Sequence, residues 1–256
     1  MDFDSLLTAD TLALYGRGVG VTLELLAISL AFGLALSIPL AVLRASPNRW
    51  VAAPIAAFTF VIRGTPLLVQ VYLIYYGVAQ LDWVQARWDA IWPWMWFKEP
   101  LFCTLFAFVI NTTAYTIELV AGAIRETPAG EIEAAQSLGM RRSTLLARIV
   151  LPSALRRALP GYGNEMILML HATSIASVVP GIVDLTGAAN SFYGTTYLPF
   201  EAYIAAALVY LALSFVLVFV LRAIERRVLA HLRRPGDHAP VTALAPVAPA
   251  EGQVAT

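Results

Sequence analysis

Asn111, Tyr115 and Glu118 follow one another at spacings of four and three residues inside an otherwise apolar stretch. On an α-helix that spacing puts all three on one face. A second apolar stretch carries Asn164 and His171, seven residues apart and again on one face, with Ser174 three residues further on. Together these amide, phenol, carboxylate, imidazole and hydroxyl groups could hydrogen-bond a small polar solute and present a carboxylate to a cationic group. Ionisable groups at membrane depth are costly, so each is a site candidate. The same residue types also hold buried helices together, at about 0.6 kcal/mol per hydrogen bond on average. Glu118 could equally serve as the structural partner of an arginine. Arg63 reads mainly as structural, and Glu165 as a helix-start or bridging residue. Covalent chemistry is not indicated: the chain lacks a G-x4-G-K-[ST] phosphate loop and any nucleophile–base or metal-ligand spacing. It is therefore read as non-enzymatic, with no cofactor bound by this chain. Cys103, the single cysteine, reads as a small apolar packing residue.

The elements that must position these groups follow from composition. The chain has 256 residues, is 59% hydrophobic and 13% charged, and has zero formal net charge; its mean hydropathy is +0.71. Soluble chains average about 45–50% apolar and about 25% charged residues, so the membrane class comes first. Nothing points to nucleic acid. Asp2, Asp4 and Asp10 precede the first apolar run where a signal peptide would carry basic residues, so that run is expected to stay in the mature protein. A spanning helix needs about 20 mostly apolar residues. Five segments qualify: Gly18–Leu43, Val51–Ala79, Leu101–Arg125, Gly161–Val183 and Phe200–Leu221.

Basic residues orient them. Arg44 and Arg49 follow the first segment. Arg125, Arg141, Arg142, Arg148, Arg156 and Arg157 fill the interval between the third and fourth, and Arg222, Arg226, Arg227, Arg233 and Arg234 follow the fifth. Between residues 80 and 100, Arg87 and Lys98 are offset by Asp82, Asp89 and Glu99; residues 184–199 hold no Lys or Arg. The positive-inside rule then places the N-terminus outside and the C-terminus inside. Residues 1–17 form an outside segment in this reading, 18–225 the membrane domain, and 235–256, rich in Pro and Ala, a disordered inside tail. Trp83, Trp88, Trp92, Trp94 and Trp96 crowd the second outside connection, either as a surface for an external partner or as an interfacial aromatic belt with a short surface helix.

The inside interval holds the most specific pattern. Glu133-Ala134-Ala135, three residues, Gly139, nine residues, then Ile149, Leu151 and Pro152 make seven specified positions. Glu131–Leu138 predicts a short amphipathic helix ended by Gly139 in a left-handed cap. Pro152 is expected to break the next segment and Pro160 to precede the fourth span. Arg141, Arg142 and Arg148 could meet anionic lipid or an acidic partner. A plain basic loop that only fixes topology would carry the charge without this spacing.

This pattern resembles the coupling loop of permease subunits in bacterial ATP-binding-cassette importers. Arg63-Gly64-Thr65-Pro66-Leu67-Leu68-Val69-Gln70, Asn111 to Glu118, Gly122-Ala123-Ile124-Arg125 and Asn164-Glu165 are similar to signatures of polar amino acid permeases. The string from Asn164 to Ser174, with His171 where many relatives have Lys and Ala121 where many have Arg, resembles M-type subunits of histidine/lysine/arginine/ornithine and opine importers. The resemblance covers about residues 15–230. It implies an all-α integral membrane protein of the type I importer fold, in a bacterial inner membrane. The implied partners are a cytoplasmic ATPase pair that uses ATP and Mg, a second, non-identical permease subunit, a periplasmic amino acid-binding protein, membrane lipid and the amino acid itself. It assigns Glu133, Ala134, Ala135, Gly139, Arg141 and Arg142 (loop about 128–160) to ATPase coupling. Asn111, Tyr115, Glu118, Asn164, His171 and Ser174 remain pathway candidates. Because permeases for neutral and acidic cargo share the glutamate at 118, the structural role is favoured there. An opine or neutral amino acid is an alternative cargo. An ion-driven secondary transporter and a non-transporting scaffold are the rival classes.

Overall fold

The computed structural model describes residues 4–87, 89 and 94–228, and among them every regular element is helical. The helices are α1 (Ala9–Arg44), α2 (Arg49–Arg63), α3 (Leu67–Tyr72), α4 (Asp82–Gln85), α5 (Pro100–Arg125), α6 (Ala129–Ser137), α7 (Arg142–Leu145), α8 (Leu151–Ala172), α9 (Leu185–Thr196) and α10 (Pro199–Val228). Three of them, α1, α5 and α10, are long and apolar enough to cross a membrane; the bent pair formed by Arg49–Arg63 and Leu67–Gln80 would make a fourth. The expected tail and Trp88 and Trp92 lie outside the described residues.

Helix α1 starts where the Thr8 side chain accepts the Thr11 N–H at 3.3 Å, with Asp10 in its first turn and Arg44 in its last, both favourable to the helix dipole. It crosses α5 closely because residue 33 is glycine: a Cβ there would fall on the Thr112 methyl group. The principal core gathers Leu25, Leu26 and Leu30 of α1, Val71 of α3, Phe108 of α5 and Met169 and Leu170 of α8. A second cluster joins α1, α9 and α10 through Tyr15, Leu185, Phe192 and Ala202, and the Tyr15 hydroxyl donates to Ala202 O at 2.8 Å. Asp184 caps α9 by accepting the N–H groups of Thr186 and Gly187, satisfying two donors that a helix start leaves open.

Three expectations are corrected. Residues 51–79 are not one continuous helix, and Gly64 and Pro66, whose presence in an apolar segment fits either a broken helix or a simple kink, mark a break: the helix stops at Arg63, turns through 100° and restarts at Leu67. Gly64 ends α2 and Pro66, which has no N–H to give, precedes the first turn of α3. Residues 161–183 are not a helix that begins after Pro160. Helix α8 begins at Leu151, carries Pro160 inside it, ends at Ala172 and tightens into a 3-10 turn over Thr173–Val178. Nor does Pro152 break its segment. A π-helical turn at Leu146–Val150 immediately precedes it, and widening the helix there relieves the clash that a proline ring makes with the carbonyl four residues back.

Between α4 and α5, Trp83 and Trp94 pack edge to face at 5.0 Å and Trp96 meets Phe102 at 5.3 Å. Trp83 and Trp96 stay about half exposed. This aromatic cluster is anchored to α5 through Phe97, Phe102 and Phe106.

Candidate functional site

Two groups of residues carry functional geometry. The first is the loop between α5 and α8. Helix α6 ends at Ser137, and Gly139 adopts φ +71°, as its place after the helix requires. The Gly139 N–H reaches Gln136 O at 2.9 Å and the Met140 N–H reaches Ala135 O at 3.2 Å. This paired closure satisfies carbonyls that would otherwise be orphaned. Ala135 is buried against Leu145 and Val150, with Ile132 and Ile149 packed beside them. The loop thus has its own small core, and the motif alanine at 135 is the side chain that fits into it. Glu133, Ala134, Arg141 and Arg142 are exposed, and Leu138 is 83% exposed. A rigid, self-packed turn therefore presents an acid, a small residue, a large apolar side chain and two guanidiniums to whatever lies below it.

The second group surrounds a cavity of about 440 Å³ at the bend between α2 and α3. Its wall consists of Arg63–Leu67 from the bend, Asn111, Thr112 and Tyr115 from α5, and Glu165, Leu168, Met169 and Ala172 from α8. Gln70 fixes the bend: its amide nitrogen donates to Ile62 O at 2.7 Å, Thr65 O at 3.0 Å and Thr65 Oγ1 at 2.9 Å. Its amide oxygen accepts from Asn111 Nδ2 at 3.1 Å. The carbonyls that the helix break frees thereby acquire a donor. The Arg63 guanidinium lies over the Tyr115 ring, 5.1 Å from its centroid, a cation–π contact that holds the charge at the cavity wall. With Glu165 in the same wall, the cavity offers one positive and one negative group, an amide and hydroxyls to a polar solute.

The pathway candidates separate. Asn111 and Tyr115 line the cavity, as the shared helix face anticipated. Glu118, on that same face, points to a neighbouring recess lined by Arg44, Thr59 and Arg63. Arg44 Nε donates to Glu118 Oε1 at 2.8 Å, Thr59 Oγ1 donates to the same oxygen at 2.7 Å, and Arg125 Nη2 is 4.0 Å from Oε2. The structural reading of Glu118, as the partner of an arginine, is the one this geometry matches. Asn164 and His171 are exposed on another side of α8 and do not line the cavity. His171 Nε2 pairs with Ser214 Oγ of α10 at 3.0 Å. Ser174 Oγ donates to His171 O at 2.8 Å, within its own turn. Arg63 and Glu165 are cavity residues that sequence reasoning set aside, and Gln70, which braces the bend beside the cavity, is one it passed over. The signal for them was the Gly-Thr-Pro break, which forces neighbouring polar groups to satisfy an interrupted backbone.

Known proteins match this architecture. Residues 33–230 match the family described as binding-protein-dependent transport system inner membrane component. The nopaline transport system permease protein of Agrobacterium fabrum is 42% identical over 226 residues, covering 88% of this chain and 92% of that protein. The histidine/lysine/arginine/ornithine transport system permease protein of Salmonella typhimurium is 45% identical over 215 residues, covering 84% and 90%. Among solved structures, an amino acid ABC transporter crystallised with histidines superposes with a TM-score of 0.74 at 31% identity, over 89% of this chain and 99% of that one. Both the loop and the cavity fall inside the matched range, and the chain belongs to the binding-protein-dependent transport system inner membrane components.

Proposed function

We propose that this chain is one membrane half of an ATP-driven, binding-protein-dependent importer of polar amino acids, with basic amino acids as the first cargo class and an opine or neutral amino acid as the alternative. The observation that carries the reading is the turn around Gly139, which buries Ala135 in its own small core and leaves Glu133, Ala134, Gly139, Arg141 and Arg142 exposed. A loop that only fixed topology would need charge but neither the left-handed glycine nor the bare Leu138. The relatives named for nopaline and for histidine, lysine, arginine and ornithine favour a polar, nitrogen-rich cargo.

In this reading five segments cross the inner membrane, the fourth being the polar α8, with the N-terminus outside and the α6 turn inside. A cytoplasmic ATPase pair grips Glu133, Ala134, Leu138, Arg141 and Arg142, and uses ATP and Mg that this chain does not bind. A second, non-identical permease completes the pathway, and an external binding protein delivers cargo to the outer face. ATP binding closes the ATPase pair, moves the α6 turn and rocks the helices between outward-open and inward-open arrangements. The cavity fits the two charges of an amino acid main chain: Arg63 faces its carboxylate, Glu165 its ammonium, and Asn111 hydrogen-bonds either. Asn164, His171 and Ser174, on the far side of α8, serve packing or the partner contact.

The test is the ATPase activity of the complex reconstituted with its ATPase, second permease and binding protein. Gly139→Asp combined with Glu133→Ala is expected to abolish stimulation by liganded binding protein and to weaken ATPase attachment. Full stimulation and uptake in that variant would reduce the loop to a topology signal.

A further inference from the structure

Arg157 lies on α8, two turns before the cavity residue Glu165, and its contacts run both to α5 and, through Ser153 one turn earlier on α8, toward α6. One terminal nitrogen, Nη2, donates to Ala123 O at 3.0 Å and Thr127 Oγ1 at 2.8 Å. The other, Nη1, donates to Ser153 Oγ at 2.6 Å. Ser153 in turn donates to Glu131 Oε2 of α6 at 3.3 Å. Ala123 O is one of the last carbonyls of α5, a group that a helix end leaves without an internal partner. The Glu126 N–H goes to Gly122 O and the Thr127 N–H to Ile124 O, so the arginine from α8 takes the carbonyl between them. A cation at this helix end also complements its dipole. Thr127 is buried at the corner where α5 turns into α6. Arg157 Nε is buried and makes no hydrogen bond among the described residues, so the contacts of this guanidinium run through its two terminal nitrogens.

We propose that Arg157 is a positioning residue for coupling, a joint that makes the α6 turn move both helical walls of the cavity as one body. The inference rests on the coupling role proposed above for that turn. Helix α5 brings Asn111 and Tyr115 to the cavity and α8 brings Glu165, Leu168, Met169 and Ala172. Covalent connection alone lets α6 pull on α5. Through Ser153 and Glu131 on one side, and Ala123 and Thr127 on the other, Arg157 fixes α8 to the same corner. Displacement of the turn then shifts Arg63's two opposing walls together, which changes the cavity against the α2–α3 bend and keeps its α5–α8 seam closed. A planar fork of donors is needed for contacts in two directions, and a lysine ammonium cannot supply that geometry.

The experiment uses the whole reconstituted complex, with L-arginine and the loaded binding protein as the probe, and reads two ratios in molecules that carry their full ATPase complement. These are ATPase stimulation by loaded binding protein and cargo imported per ATP hydrolysed. Arg157→Lys and Ser153→Ala are each expected to lower both ratios by about threefold or more, the range that residues in a coupling network produce. The double variant should be little worse than Arg157→Lys, since both act on one joint. Lower yield with both ratios unchanged would mean a purely structural arginine and would overturn the proposal. If the Arg157 variants do not assemble, Ser153→Ala and Thr127→Val, each lacking one of the bonds, decide it by the same criterion. Gly139→Asp separates the two claims. If it uncouples while the Arg157 and Ser153 variants do not, only the joint fails; if it too stays coupled, the role of the turn fails and the joint with it.

Discussion

Removing the carboxylate of Glu118 should damage the fold and leave cargo choice alone. The side chain is 18% exposed and that of Arg44 25% exposed. Ion pairs at an open surface contribute about 0.2–1 kcal/mol, and stripping one partner from a fully buried pair costs about 3–5 kcal/mol. With four-fifths of the carboxylate covered and a further hydrogen bond from Thr59, the cost of Glu118→Leu should be about 2–3 kcal/mol, below the fully buried limit because Arg44 can still reach water. At roughly 2–4 °C per kcal/mol for a chain of this size, the melting temperature falls by about 4–12 °C. Glu118→Gln keeps an oxygen for Thr59 and Arg44 and should fall less. The decisive variant is Arg44→Met with Glu118→Leu, which replaces both partners by apolar groups and should recover most of the loss, since paired replacement is often near neutral. Detergent-solubilised protein is followed by intrinsic tryptophan fluorescence on heating. Uptake in proteoliposomes, with unlabelled arginine, histidine and glutamine as competitors, gives the cargo profile. A changed competitor profile with an unchanged melting temperature would refute the assignment and make Glu118 a cargo contact.

Two other substitutions follow from close approach and from the bend. Gly33→Leu forces a side chain into the space of Thr112 at the α1–α5 crossing and should cost about 1–3 kcal/mol or more, seen as lost monodisperse yield and faster trypsin cleavage; wild-type behaviour would mean the helices can separate freely there. Gln70→Ala removes one donor from the Ile62 carbonyl, which keeps the Thr65 N–H, and takes this partner from the Thr65 carbonyl and the half-buried Asn111 amide, at about 0.5–1.5 kcal/mol per hydrogen bond lost. Uptake should show a raised cargo KM with a smaller change in maximal rate, and equal loss of both parameters would mean the bend acts on something other than the cavity.

The helical class and most of the long helices were legible because hydropathy sums over many residues and tolerates local error. Helix α5 begins one residue from the expected start and ends where expected, and the left-handed Gly139 follows from a single residue type in a specific place. What hydropathy does not carry is direction. Residues 51–79 are apolar enough to read as one span, yet Gly64 and Pro66 turn the chain through 100°. Proline misled in the opposite sense. Pro152 and Pro160 read as breaks because an ideal helix cannot hold them, but the π-helical turn before Pro152 is a tertiary accommodation that a local rule does not see. The cavity was half visible. A helix face united Asn111 and Tyr115, whereas Arg63, Gln70 and Glu165 come from three other elements and meet them only in the packed bundle. His171 and Asn164 share a face as expected, but which way α8 turns that face is set by packing against α10 and the rest of the bundle.

The bend also fixes an order of events in the making of the protein. When a ribosome has delivered residues 49–80, Gln70 can already close on Ile62 and Thr65, but its oxygen waits for Asn111, 41 residues later, and Arg63 waits for Tyr115. Until then this segment is a folded-back apolar stretch carrying an unshielded guanidinium, a poor passenger for lipid on its own. The bend is thus closed in two stages separated in sequence: a local one within residues 62–70, and a long-range one that needs Asn111 and Tyr115 of α5.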